Sequence, residues 1–281
     1  MRSTWSRSAR LLASATLVAA IAAATAGCQT TQTAATTGTL PPAPADRPEA
    51  EWRSDLDTYG QQYRADPANA GVALRYAQAL RATGQRAQAV AVLQRLSMEH
   101  PHDKAVLGEY GRALADAGDY EQALDVLGRA HSPDQPDWRI LSAQGAVLDQ
   151  LGRHEEAQSY YQAALKIVPD EPSVLSNLGL SYALSKDLPN AEATLRRAAA
   201  HRQVDTRVRQ NLALVIGLQG RFAEAEQIAS ADLPPEQASA NVAYLRQMLA
   251  RRDVSKTAHA HGTESAARAK PPGSGSPLAQ Q

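Results

Sequence analysis

Apolar and small residues recur along this chain with a period of 34 residues. Units start at Ala70, Lys104, Trp138, Pro172 and Thr206, and within each such residues fall at positions 4, 7, 8 and 11, then 20, 24 and 27. The second unit supplies Leu107, Tyr110, Gly111 and Leu114, followed by Ala123, Leu127 and Ala130. The fourth opens with Leu175, Leu178, Gly179 and Tyr182, and the third closes with Ala157, Tyr161 and Ala164. A 4-7-8-11 spacing is one face of an α-helix. Each unit is therefore predicted as two helices joined by a turn, and the period predicts a helix-turn-helix array.

Two ladders sharpen that expectation. Position 15 holds Gly84, Gly118, Gly152 and Gly220, with Lys186 in the fourth unit. Glycine there supplies the φ > 0 conformation that ends a helix. Position 20 holds Ala89, Ala123, Ala157, Ala191 and Ala225. Small groups at positions 8 and 20 let paired helices approach closely. One hairpin cannot bury its apolar faces alone, but stacked hairpins can.

The flanks follow from the same patterning. Trp52, Leu56, Tyr59 and Tyr63 lie at helical spacing before Pro67, so residues 49–69 are read as an N-terminal capping helix. The five units span 70–103, 104–137, 138–171, 172–205 and 206–235. Val242, Leu245 and Leu249 mark a capping helix over 236–252, and the Ser/Ala/Gly/Pro-rich stretch 253–281 is expected to be disordered. No alternating β-branched runs occur, so strands are not expected.

This pattern resembles the tetratricopeptide repeat family over residues 70–232, and more weakly over 49–69. The resemblance implies an all-α solenoid: a right-handed superhelix of helix-turn-helix hairpins, about five repeats with capping helices at both ends. Departures are local. Position 4 is never Trp, Lys186 replaces the turn glycine, and Asp232 stands at position 27 of the fifth unit. The resemblance also implies that partners bind the concave face of the first helices. Positions 2, 5, 9 and 12 place Leu74, Gln78, Arg81, Arg112, Arg139, Asp149, Ser176, Leu180, Arg207, Gln210 and Leu214 there. That mixture suits a peptide or helix with acidic and apolar groups. Asn177 and Asn211 sit at position 6, where asparagine helps clamp a C-terminal carboxylate in some tetratricopeptide domains. The preceding unit offers Ser142 and Ala146, not the Lys and Asn such a clamp uses.

The N-terminus changes the picture of where such an array works. Residues 1–10 carry Arg2, Arg7 and Arg10, residues 11–26 are apolar or small, and Cys28, the chain's one cysteine, follows Ala26-Gly27. A basic start, a short apolar run and a small-residue cleavage site read as a secretory signal over 1–27. The segment resembles a bacterial lipobox with Thr25 in place of the usual leucine, which implies lipidation of Cys28. The alternative is an ordinary cleaved signal that contains a cysteine. Acyl chains contribute about 0.8 kcal/mol per buried CH₂, so several long chains anchor a protein nearly irreversibly. Gln29, rather than aspartate, after the cysteine implies the outer membrane of a Gram-negative cell, on its periplasmic face. Thr, Ala and Pro dominate 28–48, which is read as a flexible tether with a span of about 25 Å.

Lys+Arg and Asp+Glu both number 29 among 281 residues, which argues against a nucleic-acid partner. His154-Glu155-Glu156-Ala157-Gln158 approaches the H-E-x-x-H zinc motif, but Gln158 takes the second histidine's place and the repeat accounts for the string. His100-Pro101-His102 and His259-Ala260-His261 lack further ligands of predictable geometry. No phosphate-binding loop or nucleophile elbow occurs. The expectation is a non-enzymatic scaffold without cofactor, metal or small-molecule substrate. Its layout resembles the TadD-type lipoproteins of tight-adherence (Flp) pilus assembly, which implies protein partners in a pilus or secretion complex and a role in localising or assembling a secretin. The alternative is an outer-membrane lipoprotein scaffold for cell-wall or membrane-protein machinery.

Overall fold

The computed structural model describes residues 47–201 and 205–268, with side chains described as far as Arg251. The signal, Cys28 and most of the tether lie outside the described residues. Twelve helices and no strand occur among the described residues. α1 (Glu49–Ala65) precedes five hairpins: α2 (Ala70–Ala82) with α3 (Arg86–Glu99), α4 (Lys104–Ala117) with α5 (Tyr120–Arg129), α6 (Trp138–Gln150) with α7 (His154–Ile167), α8 (Pro172–Leu184) with α9 (Leu188–Ala199), and α10 (Thr206–Leu218) with α11 (Phe222–Ala229). α12 (Pro235–Arg268) closes the series. It runs well beyond residue 252, where the apolar pattern ended it, so the stretch expected to be disordered is helical to Arg268.

Each helix packs on the next, and the first helices also touch in sequence, α2 on α4, α4 on α6, α6 on α8, α8 on α10 and α10 on α12. This is the architecture of an α-solenoid. The first helices share a start signal. Asn69, Asp103, Asp137, Glu171 and Asp205 immediately precede them, and each side chain accepts a hydrogen bond from a backbone N–H of the first turn. Such caps satisfy donors the helix cannot use and contribute about 1 kcal/mol each.

Within a hairpin the packing is a large side chain set against a small one. A Cβ on Gly111 would lie 2.5 Å from Leu127, on Gly145 2.7 Å from Tyr161, and on Gly179 2.6 Å from Leu195. Those are positions 8 and 24 of three consecutive units. All five alanines of position 20 are fully buried. The fifth unit is small on both sides, with Ala213 facing Ala229 beside Ala238 of α12.

The turns are closed by one repeated hydrogen bond. The residue after position 15 donates to a carbonyl five residues back: Gln85 to Leu80, Asp119 to Leu114, Arg153 to Leu148, Asp187 to Tyr182 and Arg221 to Ile216. This geometry requires φ > 0 at position 15, and Lys186 adopts it at 68° like its glycine counterparts. A side chain in that region costs about 1–2 kcal/mol, partly offset because glycine loses more entropy on folding. Lys186→Gly is therefore expected to stabilise the array by about 0.5–1 kcal/mol. A raised urea midpoint at unchanged slope is the check.

The fifth unit departs from the pattern in a paired way. Positions 4 and 27, Leu with Ala in units two to four and Ala73 with Leu96 in the first, hold Arg209 and Asp232. The two form a salt bridge, with Asp232 nearly buried. The guanidinium beside it holds the Asp232 carboxyl below its usual range. Asp232, which looked like decay of the repeat, is half of a compensated exchange. Arg209→Leu alone, which strips the carboxylate of this cation, is expected to cost about 1–3 kcal/mol. Arg209→Leu with Asp232→Ala restores the apolar pair and is expected to recover most of that, measured as a double-mutant cycle by urea denaturation.

Candidate functional site

The stacked first helices present one face running from α2 to α12. Sequence spacing assigned partner-binding residues to it, and the structure shows how each is occupied. In the N-terminal part the charges are already paired. Arg81 reaches Glu109 at 2.9 Å and Asp116 at 2.6 Å, while Arg112 reaches Glu109 at 2.7 Å. Three of these four side chains are only 12–15% exposed. Arg139 lies 4.4 Å over the Trp138 ring. Arg207 hydrogen-bonds Asp205, the residue capping its own helix. The four arginines expected to meet an acidic partner thus each have a counterpart within the chain. Leu74, Gln78 and Gln210 stay half-buried on the same face.

Asp149 is not on an open surface. It is 6% exposed and ties three helices together. One carboxylate oxygen accepts from Ser181 Oγ at 2.8 Å and pairs with His154 Nδ1 at 2.9 Å, and the other accepts from Tyr161 OH at 3.1 Å. Burial pushes the Asp149 carboxyl up, against the hydrogen bonds from His154, Ser181 and Tyr161. Burial beside that carboxylate also pushes the Tyr161 phenol well above its usual range. The Ser181 hydroxyl points at Asp149 and not at the imidazole, so the three polar groups are arranged to hold helices rather than to activate a nucleophile. His154 takes its part here; Glu156 pairs with Arg153, and Gln158 donates to Ser185. The string that approached a zinc motif is thus built into the turn and the neighbouring unit.

Asn177 and Asn211 have a structural task as well. Asn177 Nδ2 donates to Ser142 Oγ at 3.5 Å, and Asn211 Nδ2 to Ser176 Oγ at 3.0 Å. Each spans from position 6 of one unit to position 5 of the unit before. Ser142 and Ser176 are buried. Leu180 and Leu214 are half-buried and face outward beside this pair of bridges.

On the second-helix side, units four and five are joined by a charge cluster. Glu192 accepts from Arg196, Arg221 and Gln219, and Glu224 pairs with the same two arginines. Burial opposes ionisation of Glu192, but hydrogen bonds from Arg221, Gln219 and Arg196 prevail and hold its carboxyl at about 2. With an unfolded value near 4.5, ionised Glu192 stabilises the fold above that pH, and the contribution is lost as pH falls through about 2. Glu192→Gln is expected to flatten the acid limb of the stability profile between those values, as followed by urea midpoints at each pH.

Several of these groups escape periodicity arguments. Glu109, Asp116 and Ser181 lie between the apolar positions and gain meaning only from neighbours about one repeat away. The capping ladder, by contrast, is visible in the sequence at the same 34-residue period.

Models of the tetratricopeptide repeat match residues 56–108, 105–129, 142–207 and 207–231, more than half of the chain. No curated protein matches. Among solved structures, a tetratricopeptide repeat protein from Parabacteroides merdae is similar at 15% identity, over 74% of this chain and 83% of that one, with a TM-score of 0.56. The Cut9–Hcn1 hetero-tetramer of the APC/C is similar at 17% identity over 70% of this chain, with a TM-score of 0.57, and the match spans 40% of that chain. MamA of Desulfovibrio magneticus is similar at 18% identity over 65% of this chain and 97% of that one, with a TM-score of 0.46. At these identities the likeness concerns the fold.

Proposed function

Because the chain belongs to the tetratricopeptide repeat family, we propose that it serves as a lipid-anchored periplasmic scaffold in the assembly of a tight-adherence (Flp) pilus. Repeats of this family are protein-interaction modules, and the chain carries them in an unbroken series. The observation that carries the scaffold reading is the single face formed by six successive helices, α2 to α12 in steps of two. Solenoids use such extended faces to bind partners.

The anchor and the compartment rest on different residues: the basic start, the apolar run and Cys28 after Ala26-Gly27. With the Thr/Pro-rich stretch that follows, these support attachment to the outer membrane through Cys28 and a tether reaching about 25 Å into the periplasm. The assignment to pilus assembly, with a secretin as partner, is supported by the layout of leader, cysteine, tether and repeats.

Two measurements test this. Cys28→Ser is expected to move the protein from the membrane to the soluble periplasmic fraction; the same distribution for both forms removes the anchor. Deleting the gene is expected to lower the abundance of secretin multimers in the outer membrane; normal multimers remove the secretin role and leave the scaffold.

A further inference from the structure

α11 has eight residues where α9 has twelve, a loss of about one helical turn. α12 therefore meets α10 thirty residues on rather than thirty-four. The packing confirms that register. Position 12 of the third unit, Asp149, touches position 10 of the fourth, Ser181. Position 12 of the fifth, Gly217, touches Leu245, which is position 10 of α12 once four residues are removed. α12 is thus the first helix of a sixth, truncated unit.

In this register three positions line up across α8, α10 and α12. Asn177, Asn211 and Asn241 share position 6. Leu180, Leu214 and Tyr244 share position 9, and Leu184, Leu218 and Met248 share position 13. The last two rows make an apolar patch two residues deep and three helices long. Its outer members are open to solvent: Leu184 at 37%, Tyr244 at 64% and Met248 at 48%. The first three units hold Gln78, Arg112 and Ala146 at position 9, and Ala82, Asp116 and Gln150 at position 13. The patch is therefore confined to the C-terminal end of the face. α8 contains no charged residue at all. The arginines opening α10, Arg207 and Arg209, are each held by an aspartate.

We propose that this patch is the docking surface for a partner's amphipathic helix, lying across α8, α10 and α12 with an uncharged stripe against the two apolar rows. The inference rests on the reading of the first-helix face as the interaction face. Dimensions and charge select the occupant. Helices pack about 8–10 Å apart, so three span about 20 Å, which a helix of about 13 residues covers. The two rows are about 6 Å apart, within the width of one apolar helical stripe. An extended strand would cover one row and leave the other wet. A charge on the stripe would be desolvated against the two apolar rows. Of the peptide or helix with acidic and apolar groups that the groove residues suggested, this patch takes the apolar side.

The test uses the full chain and a labelled 14-residue helical peptide with a leucine stripe and equal numbers of Glu and Lys elsewhere, read by fluorescence anisotropy. Binding is expected, and Tyr244→Ser/Met248→Ser is expected to weaken it at least tenfold. A second variant, Leu184→Lys, is expected to do the same. All three side chains are exposed, so circular dichroism and melting should stay at wild-type values. A peptide with two stripe leucines replaced by lysine is expected not to bind. Three results overturn the proposal: no binding of the leucine peptide, binding unchanged by the patch variants, or sedimentation showing that those variants break a self-association of the wild type. If Leu74→Ser and Gln78→Glu weaken binding while the patch variants do not, the interaction face stands and this docking site falls.

Discussion

Asp149→Ala is expected to lower the stability of the array by about 3–5 kcal/mol, the largest effect of any single truncation on this face. The mutation removes an acceptor that serves Ser181, Tyr161 and His154 at once. Ser181 is fully buried and Tyr161 is 1% exposed, so neither hydroxyl has water to turn to, and Ser181 keeps only its longer bond to the His154 carbonyl at 3.4 Å. Each unsatisfied donor costs about 1–3 kcal/mol. Asp149 lies on α6 and its partners on α7 and α8, so the loss falls at the junction of the third and fourth units. Asp149→Asn keeps an acceptor for Ser181 and His154 and should cost far less. Its pH profile should differ too. The wild-type carboxyl is pushed up by burial, so its ionisation weakens the fold as pH rises through the shifted value, and the permanently neutral amide lacks that dependence. Urea denaturation of both variants across pH separates the two effects. An alanine variant within 1 kcal/mol of wild type would show that the junction does not depend on this carboxylate.

Gly145→Leu is expected to cost about 3 kcal/mol or more and to loosen the third hairpin. Three Tyr161 ring atoms lie within 3.0 Å of where even a Cβ would stand. Overpacking usually costs about 1–3 kcal/mol because neighbours can move aside. Here the ring is held at its far end by Asp149, so turning away breaks the buried hydrogen bond as well. Gly145→Leu with Tyr161→Ala gives the room back, exchanging the large and small partners of the pair. Melting of the double variant should lie above that of the single one. If the single variant melts like wild type, the pairing of positions 8 and 24 is not what sets the helix spacing.

The hairpins were legible because their causes are local and periodic. Alanines at position 20 and glycines at positions 8 and 15 act within one unit, so spacing alone located them. The helix starts were equally legible: Asn69, Asp103, Asp137, Glu171 and Asp205 repeat with the same period and escape notice only when the eye follows apolar residues. The face was less so. Arg81 finds its partners 28 and 35 residues away, and a list of groove positions shows it as a free cation. Asp149 was misplaced as a surface residue because its burial depends on Tyr161 and Ser181, whose hydroxyls reach it from two other helices. Arg209 and Asp232 were the reverse case, two breaks in one unit that explain each other. α12 was shortened because its apolar spacing fades before its helix does.

The internal pairing of Arg81, Arg112 and Arg207 also has a kinetic consequence. Three of the face's four arginines are cancelled by carboxylates of the same chain, which weakens the field that would draw a partner in from a distance. Encounter then proceeds at the unsteered rate of about 10⁵–10⁶ M⁻¹s⁻¹ and changes little with ionic strength. Speed of capture must come from keeping the two molecules near each other, and a membrane tether is one way to confine the search. The paired arginines make this a surface that waits for a neighbour rather than one that summons a stranger.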